Sequence, residues 1–303
     1  VAESLLRDGL ADMVSMARPF LADENFVNKT AEGRPEEINT CIACNQACLD
    51  HIFKMKTATC LVNPRAGHET ELNYGTASIP KSIAVIGAGP AGMMAAYISA
   101  MRGHRVTLFD RRPELGGQIN LAVKIPGKQE FFETLRFYQV MLEKYGVQLK
   151  LGQSVDAETL NSGKFNLVVL ATGVKPRELE LDGIDHPKVL SYLDVLDKER
   201  VVGQKVAVIG AGGIGIDIAH YLTAQTPFSG EVPEYLQGYG ILDSEKALAL
   251  RKPKKREVTV LQRSADKIGK RLGKTTGWAH IQTLKSHGVQ LLPGATYLKI
   301  DDF

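Results

Sequence analysis

The sequence predicts an α/β chain of two nested, doubly wound dinucleotide-type folds. A cysteine-rich segment and the C-terminal end of a (β/α)8 barrel precede them. Three observations lead there. An apolar strand running into a Gly-x-Gly-x-x-Gly turn occurs twice, as KSIAVIGAGPAG (81–92) and GQKVAVIGAGGIG (203–215). All four cysteines fall within residues 41–60. A strand-like ADMVSMA (11–17) runs through Arg18–Pro19 into a helical stretch.

Composition bounds the problem. A chain of 303 residues holds roughly two domains at ~150 residues each. Hydrophobic residues at 44% supply real cores, and a net charge of +3 with interspersed signs indicates neither a nucleic-acid nor an anionic-membrane partner. Four clustered thiols differ from the spread disulfide framework of secreted proteins and point to a reducing, cytoplasmic setting. The opening VAESLLRDGLADMV lacks the basic and apolar regions of a signal peptide. Residues 82–101 carry no charge, but four backbone-breaking residues, Gly87, Gly89, Pro90 and Gly92, make them strand, turn and helix rather than a membrane span.

In chain order, residues 1–35 read as helix, strand (11–17) and helix from Ala22 to Glu32, the end of the barrel. In such barrels a phosphate often sits at the loops after the last strands, which makes Ala17 and Arg18 candidates against a plain surface arginine. Residues 36–80 carry the cysteines and a polar linker ending at Pro80. Residues 81–200 form the first nucleotide fold. Within it PGKQEFFETLRFYQVMLEKYG predicts an amphipathic helix with Phe131, Leu135, Tyr138 and Leu142 on one face. Strands follow at VQLKL (147–151) and NLVVLATG (166–173). Residues 201–303 start the pattern again, with a polar insertion over 224–256 containing Pro227, Pro233 and Pro253, then the strand VTVLQR.

Each glycine motif has a mechanical reading. Gly87, Gly89 and Gly92 let the chain turn, admit a pyrophosphate against backbone and pack helix on strand; the helix N-terminus adds N–H donors and a positive dipole. Asp110 ends the next strand (VTLFD), placed to accept from a ribose hydroxyl. Gly210, Gly212 and Gly215 repeat the device. Its second strand ends in Gln262, Arg263 and Ser264, with no carboxylate to read a ribose. A guanidinium there favours the 2′-phosphate of NADPH; the plain alternative is a solvated surface charge. Ala171, Thr172 and Gly173, at the end of a strand, bring backbone close to a cofactor. Gly116-Gly117-Gln118 suits either a loop over a flavin or an ordinary turn.

Cys41, Cys44, Cys48 and Cys60 leave gaps of two, three and eleven residues. Zinc ribbons present two separated CxxC knuckles, whereas three thiolates within eight residues plus a returning fourth suit the corners of a [4Fe–4S] cubane. Zinc and free thiols stay open on the residues alone, though a redox cluster has an evident task beside two nucleotide folds.

Taken together, the chain resembles the bacterial NADPH-dependent 2,4-dienoyl-CoA reductases, within the trimethylamine dehydrogenase and enoate reductase group. The resemblance is carried by SMARPFLAD, CIACNQACLD with TCLVNPRAGHE, GAGPAG with LFD and GGQ, IPGK, DGIDHPKVLSYLDVL and LGKTTGW. It implies a barrel holding FMN, a [4Fe–4S] cluster and a pair of FAD- and NADPH-binding domains. Electrons would pass from NADPH to FAD to the cluster to FMN, and reduce an unsaturated acyl-CoA thioester in fatty-acid β-oxidation. On this resemblance Ala17 and Arg18 line the FMN phosphate, and Cys41, Cys44, Cys48 and Cys60 bind the cluster. Ala91, Asp110, Gln118, Lys128 and Val155 touch FAD, and Arg263 with Ser264 holds the NADPH 2′-phosphate. The family's proton-donating Tyr and its His belong to earlier barrel strands, so no residue here inherits a catalytic role. The chain is expected to be an internal piece of a longer protein, truncated at both ends. Related enone reductases and NADPH-oxidising electron-transfer subunits share enough of the pattern to remain alternatives.

Overall fold

The uncharged IAVI run sits at the centre of a parallel sheet, where only an apolar strand can lie with both faces covered. The computed structural model describes residues 2–177, 179–224 and 256–302. The expected insertion over 224–256 falls almost wholly outside them. The chain divides into two compact units, Val1–Gly117 with Phe132–Thr172, and Gln118–Phe131 with Gly173–Phe303.

The first unit opens on three short helices, α1 (Ala2–Arg7), α2 (Arg18–Ala22) and α3 (Phe26–Ala31). The expected strand over 11–17 does not form. A strand needs a neighbour for its ladder, none of the described residues pairs with it, and Met13 stands 81% exposed. The expected helix from Ala22 to Glu32 breaks in two at Asp23. Its backbone N–H closes α2 on the Pro19 carbonyl at 2.9 Å, and its carboxylate accepts from the Asn25 N–H at 3.0 Å. A one-turn helix, α4 (Leu49–Ile52), follows the third cysteine.

The sheet of this unit is built from β1 (Ser82–Ile86), β2 (Arg105–Asp110), β3 (Gln148–Leu151) and β4 (Leu167–Leu170), in the order β3-β2-β1-β4, all parallel. Ala84 pairs Thr107 on one side and Val168 on the other, which makes β1 central. Helix α5 (Pro90–Met101) crosses from β1 to β2 and buries Met93 together with the small Gly92, Ala96 and Ala100, which bring it close to the strands. Strand β4 lies at the sheet edge, with Leu170 74% exposed.

Between β2 and β3 run α6 (Ile119–Ala122), which belongs to the second unit, and α7 (Phe131–Lys144). The buried stripe of α7 is Thr134, Phe137, Tyr138, Met141 and Leu142. Phe131 and Leu135, expected on that face, are only half-buried. Phe137 and Met141 carry the burial instead, with Phe137 edge-on to both Tyr97 and Tyr138. Helix α8 (Ala157–Ser162) leads into β4, capped by the Asp156 carboxylate on the Thr159 N–H.

The second unit holds α9 (Tyr192–Leu196), started by a Ser191–Asp194 capping box. A parallel sheet follows, β5 (Lys205–Ile209), β6 (Glu257–Leu261) and β7 (Gln290–Leu292), in that order. Helices α10 (Gly213–Thr223) and α11 (Gly277–Ser286) pack against each other. Leu121, Ile125, Val195, Ile216, Val260 and Leu284 belong to its core. His220 of α10 sits in that packing beside His287, and burial, reinforced by His287 and His280, pushes it down to about 4.

Candidate functional site

Each glycine motif leaves its strand the same way. The Gly87 N–H donates to the Phe109 carbonyl at 2.7 Å, and the Gly210 N–H to Leu261 at 2.9 Å. Gly87 has φ +105° and Gly210 +106°, a backbone that side chains rarely adopt. A Cβ on Gly92 would strike the Gly87 carbonyl, and one on Gly215 the Gly210 carbonyl. Around Gly89 and Gly212, the N-caps of α5 and α10, the same test finds open space. The first and third glycines serve the fold; the second leaves room for a ligand's phosphates at a helix N-terminus.

The surroundings of the two loops differ. In the first, Gly87 lies against the backbone of Ala171, whose N–H donates to the Ile86 carbonyl at 2.8 Å. Thr172 and Gly173 follow, the latter with φ +76°. The Gly116 N–H donates to the Ala88 carbonyl at 2.8 Å, and a Cβ on Gly117 would stand 3.0 Å from the Gly89 Cα. The Gly116-Gly117 turn therefore folds back over the loop. Asp110 accepts from the Ala88 N–H at 2.6 Å and from the Arg112 N–H at 2.8 Å. Each carboxylate oxygen keeps a second lone pair for a hydroxyl donor, so Asp110 both ties the loop to β2 and stays able to read a ribose. Ala91 is exposed in the first turn of α5, and Val155 is half-buried between β3 and α8.

In the second unit Gln118 begins α6, and Lys128 pairs with Asp217 of α10 at 2.6 Å. That ion pair joins the IPGK turn to the helix of the second motif, a partnership no local pattern announced. Beyond β6, the Gln262 side chain bridges the carbonyls of Ser264 and Asp266 at 2.9 and 2.8 Å. The Ser264 hydroxyl donates to Asp266 at 3.0 Å, so its proton is already committed. Arg263 opens onto a cavity shared with Glu180, Thr296 and Tyr297.

The cysteines converge. All four line one small cavity together with Leu21 and Ile42. Ala43 and Asn45, which flank Cys44, have φ +53° and +58°, a left-handed backbone that is costly for alanine. It curls the chain so that side chains three and four residues apart face one centre. The Thr59 N–H donates to the Ala47 carbonyl at 2.8 Å, which brings Cys60 back to the loop.

Burial pushes the Cys44 thiol up, the Gln46 backbone N–H opposes it, and the charges of Cys60, Cys48 and Cys41 push it further. Cys60 behaves likewise: burial raises it, the N–H groups of Val62 and Asn63 oppose, and Cys41 and Cys48 raise it. Four mutually repelling thiols with amides aimed at two of the sulfurs suit a cationic iron–sulfur core, which would hold them as thiolates. Among the described residues, no three His, Cys, Asp or Glu side chains converge tightly enough to hold a single metal ion. Tetrahedral zinc, with bonds of about 2.3 Å, needs sulfurs roughly 3.8 Å apart, whereas the corners of a cubane lie further out. Four thiols lining one cavity suit the donor set of such a cluster.

Arg18 and Ala17 stand at the start of α2, both exposed. The Arg18 guanidinium donates to the Asn45 side chain at 2.8 Å, within the cysteine loop, and keeps further donors for a phosphate. The uncharged run 82–101 is β1, the glycine turn and α5; among the described residues no helix is long and apolar enough to cross a membrane.

Two glycine loops at the ends of parallel strands define a nucleotide-dependent oxidoreductase of the flavoprotein kind. A family model described as pyridine nucleotide-disulphide oxidoreductase matches residues 81–302, and the chain belongs to that family. It is 36% identical over 304 residues to a metal reductase of Desulforamulus reducens, a match covering 99% of this chain and 45% of the relative. A cinnamate reductase of Clostridium sporogenes is 34% identical over 74% of this chain and 34% of its own length. Among solved structures, a 2-naphthoyl-CoA reductase in complex with 2-naphthoyl-CoA superimposes with a TM-score of 0.85 and 32% identity, over 99% of this chain and 41% of that one. The chain thus spans less than half the length of these relatives.

Proposed function

We propose that this chain is the electron-input portion of an NADPH-dependent iron–sulfur flavoenzyme that reduces a carbon–carbon double bond conjugated to an acyl-CoA carbonyl, of the 2,4-dienoyl-CoA type. The observation that carries the reading is the four-thiol cavity, held in the same compact unit as the first glycine loop. Similarity to reductases named for cinnamate and for 2-naphthoyl-CoA supports a conjugated acid or thioester as the class of substrate.

In this reading FAD takes the first glycine loop and the nicotinamide nucleotide the second. Gly89 leaves space for the FAD pyrophosphate, Asp110 accepts from its ribose, and the turn over the loop keeps it resident. The open second loop suits a nucleotide that exchanges at every turnover, with Arg263 countering its 2′-phosphate charge. Cys41, Cys44, Cys48 and Cys60 hold the [4Fe–4S] cluster, and Ala17 and Arg18 contribute to the FMN phosphate site. When bound, these groups turn the two-electron chemistry of the nicotinamide into single-electron transfers and back. The chain's own residues place them, and Leu21 and Ile42 join the four thiols in lining the cavity that would receive the cluster.

The test uses the full-length holoenzyme under anaerobic conditions. Cys44→Ser is expected to keep NADPH-driven reduction of a dye such as ferricyanide and to lose reduction of a dienoyl-CoA. Wild-type rates of thioester reduction by the variant would overturn the proposal.

A further inference from the structure

Asn45 stands directly after Cys44, with φ +58°, a left-handed backbone that glycine and asparagine tolerate best. Glycine alone would serve the turn, since it bends there without strain. Asparagine adds a side chain, and that side chain reaches out of the loop. Its Oδ1 accepts from Arg18 Nη1 at 2.8 Å, across 27 residues of sequence. Its backbone carbonyl accepts from the Asp50 N–H at 3.0 Å, which anchors the same residue to α4. Arg18 and Asn45 also line one cavity with Cys41, Cys44, Cys48 and Cys60. A single hydrogen bond therefore joins the start of α2 to the thiol site.

That bond decides how the guanidinium is presented. Arg18 is exposed, and an unheld arginine side chain samples many rotamers. With Nη1 committed to Asn45, Nε and Nη2 remain without a partner among the described residues. Their N–H bonds run side by side along one edge of the planar fork, the edge that meets a phosphate with two parallel hydrogen bonds. An amide holds the guanidinium without neutralising it, as a carboxylate would.

We infer that Asn45 is a positioning residue for the phosphate seat at Arg18: the cysteine loop presents the guanidinium to the phosphate monoester of FMN, and flavin retention depends on the shape of that loop. Asn45 acts only through Arg18. The inference rests on the FMN reading above.

The experiment uses the full-length protein with its cluster and FAD in place, depleted of FMN. It is titrated with FMN and with riboflavin, which lacks the phosphate. Asn45→Gly keeps the backbone and deletes the acceptor. It is expected to raise the Kd for FMN about fivefold, the scale of ordering one long side chain, and to leave the Kd for riboflavin unchanged. In an Arg18→Gln background the same substitution is expected to do nothing further, because the two residues act as one unit. An unchanged Kd for FMN, an equal rise for both flavins, or full additivity with Arg18→Gln overturns the role of Asn45. Arg18→Gln with wild-type affinity for FMN sinks the phosphate reading itself. Where Asn45→Gly fails to fold, a crystal structure of the wild-type holoenzyme decides. Arg18 is expected to bond Asn45 Oδ1 and the FMN phosphate together; a phosphate-bound Arg18 turned away from Asn45 overturns the proposal without any variant.

Discussion

The two glycine loops share a backbone and differ in what surrounds it. Gly87 and Gly210 have nearly the same φ, and their N–H groups bond equivalent carbonyls at the tips of β2 and β6. Yet Gly87 is pressed against Ala171 while nothing lies within 4 Å of a Cβ on Gly210. The first loop is tied down by the Asp110 carboxylate, whereas the strand next to the second runs on into a hydrogen-bonded turn from Gln262 to Asp266 that carries Arg263. In the proposed function the shared geometry secures a phosphate, and the differences separate the resident nucleotide from the exchanging one.

The largest effect tests the part the loops share. Gly92→Ala and Gly215→Ala each force a methyl into a carbonyl, and each should destabilise its own unit by about 3 kcal/mol. Denaturant melts followed by probes in each unit would show it. The next separates the loops. Gly87→Ala should be more damaging than Gly210→Ala, because both carry roughly 1–2 kcal/mol of backbone strain but only the first also meets Ala171. Equal melting temperatures would mean that the enclosure of the first loop has no energetic weight. Asp110→Asn should weaken FAD retention by roughly tenfold or more, since hydrogen bonds to a charged group contribute about 1.5–3 kcal/mol; gel filtration with flavin quantification reads it.

Arg263→Gln should raise the KM for NADPH about tenfold and leave that for NADH nearly unchanged, as expected from losing one charge-assisted contact. An equal rise for both nucleotides would place Arg263 away from the 2′-phosphate. The smallest effect is one of pH and belongs to the second unit. His220 is held neutral by burial, with a folded value of about 4 against 6.5 unperturbed, so the unfolded chain binds its proton first. Stability should therefore be intact above pH 6.5 and decline as pH falls towards about 4. His220→Phe should flatten that slope in urea melts.

The glycine loops were legible because their logic is local: strand, turn and helix are consecutive residues, and each glycine answers a neighbour a few positions away. The crowding of thiols was legible for the same reason. The left-handed Ala43 was not, because nothing in CIAC says which backbone will aim two sulfurs at one centre. Residues 11–17 read as a strand from their own pattern, but a strand exists only with a partner, and pairing is not a local property. The face of α7 turned towards Phe137 and Met141 because tertiary packing, here against Tyr97, outweighs a count of spacings. Asp23, Asn39 and Val62 come from three separate stretches and share no period. Only the folded chain brings them into one hydrogen-bonded line.

The proposed electron route exists only if the four thiols carry iron. Iron, acid-labile sulfide and zinc should be counted in the anaerobically purified full-length protein, with the reduced form examined by electron paramagnetic resonance. The account predicts about four irons and four sulfides at this site and a one-electron cluster signal that disappears in Cys44→Ser. A single zinc, or metal-free thiols in fully active protein, would contradict it.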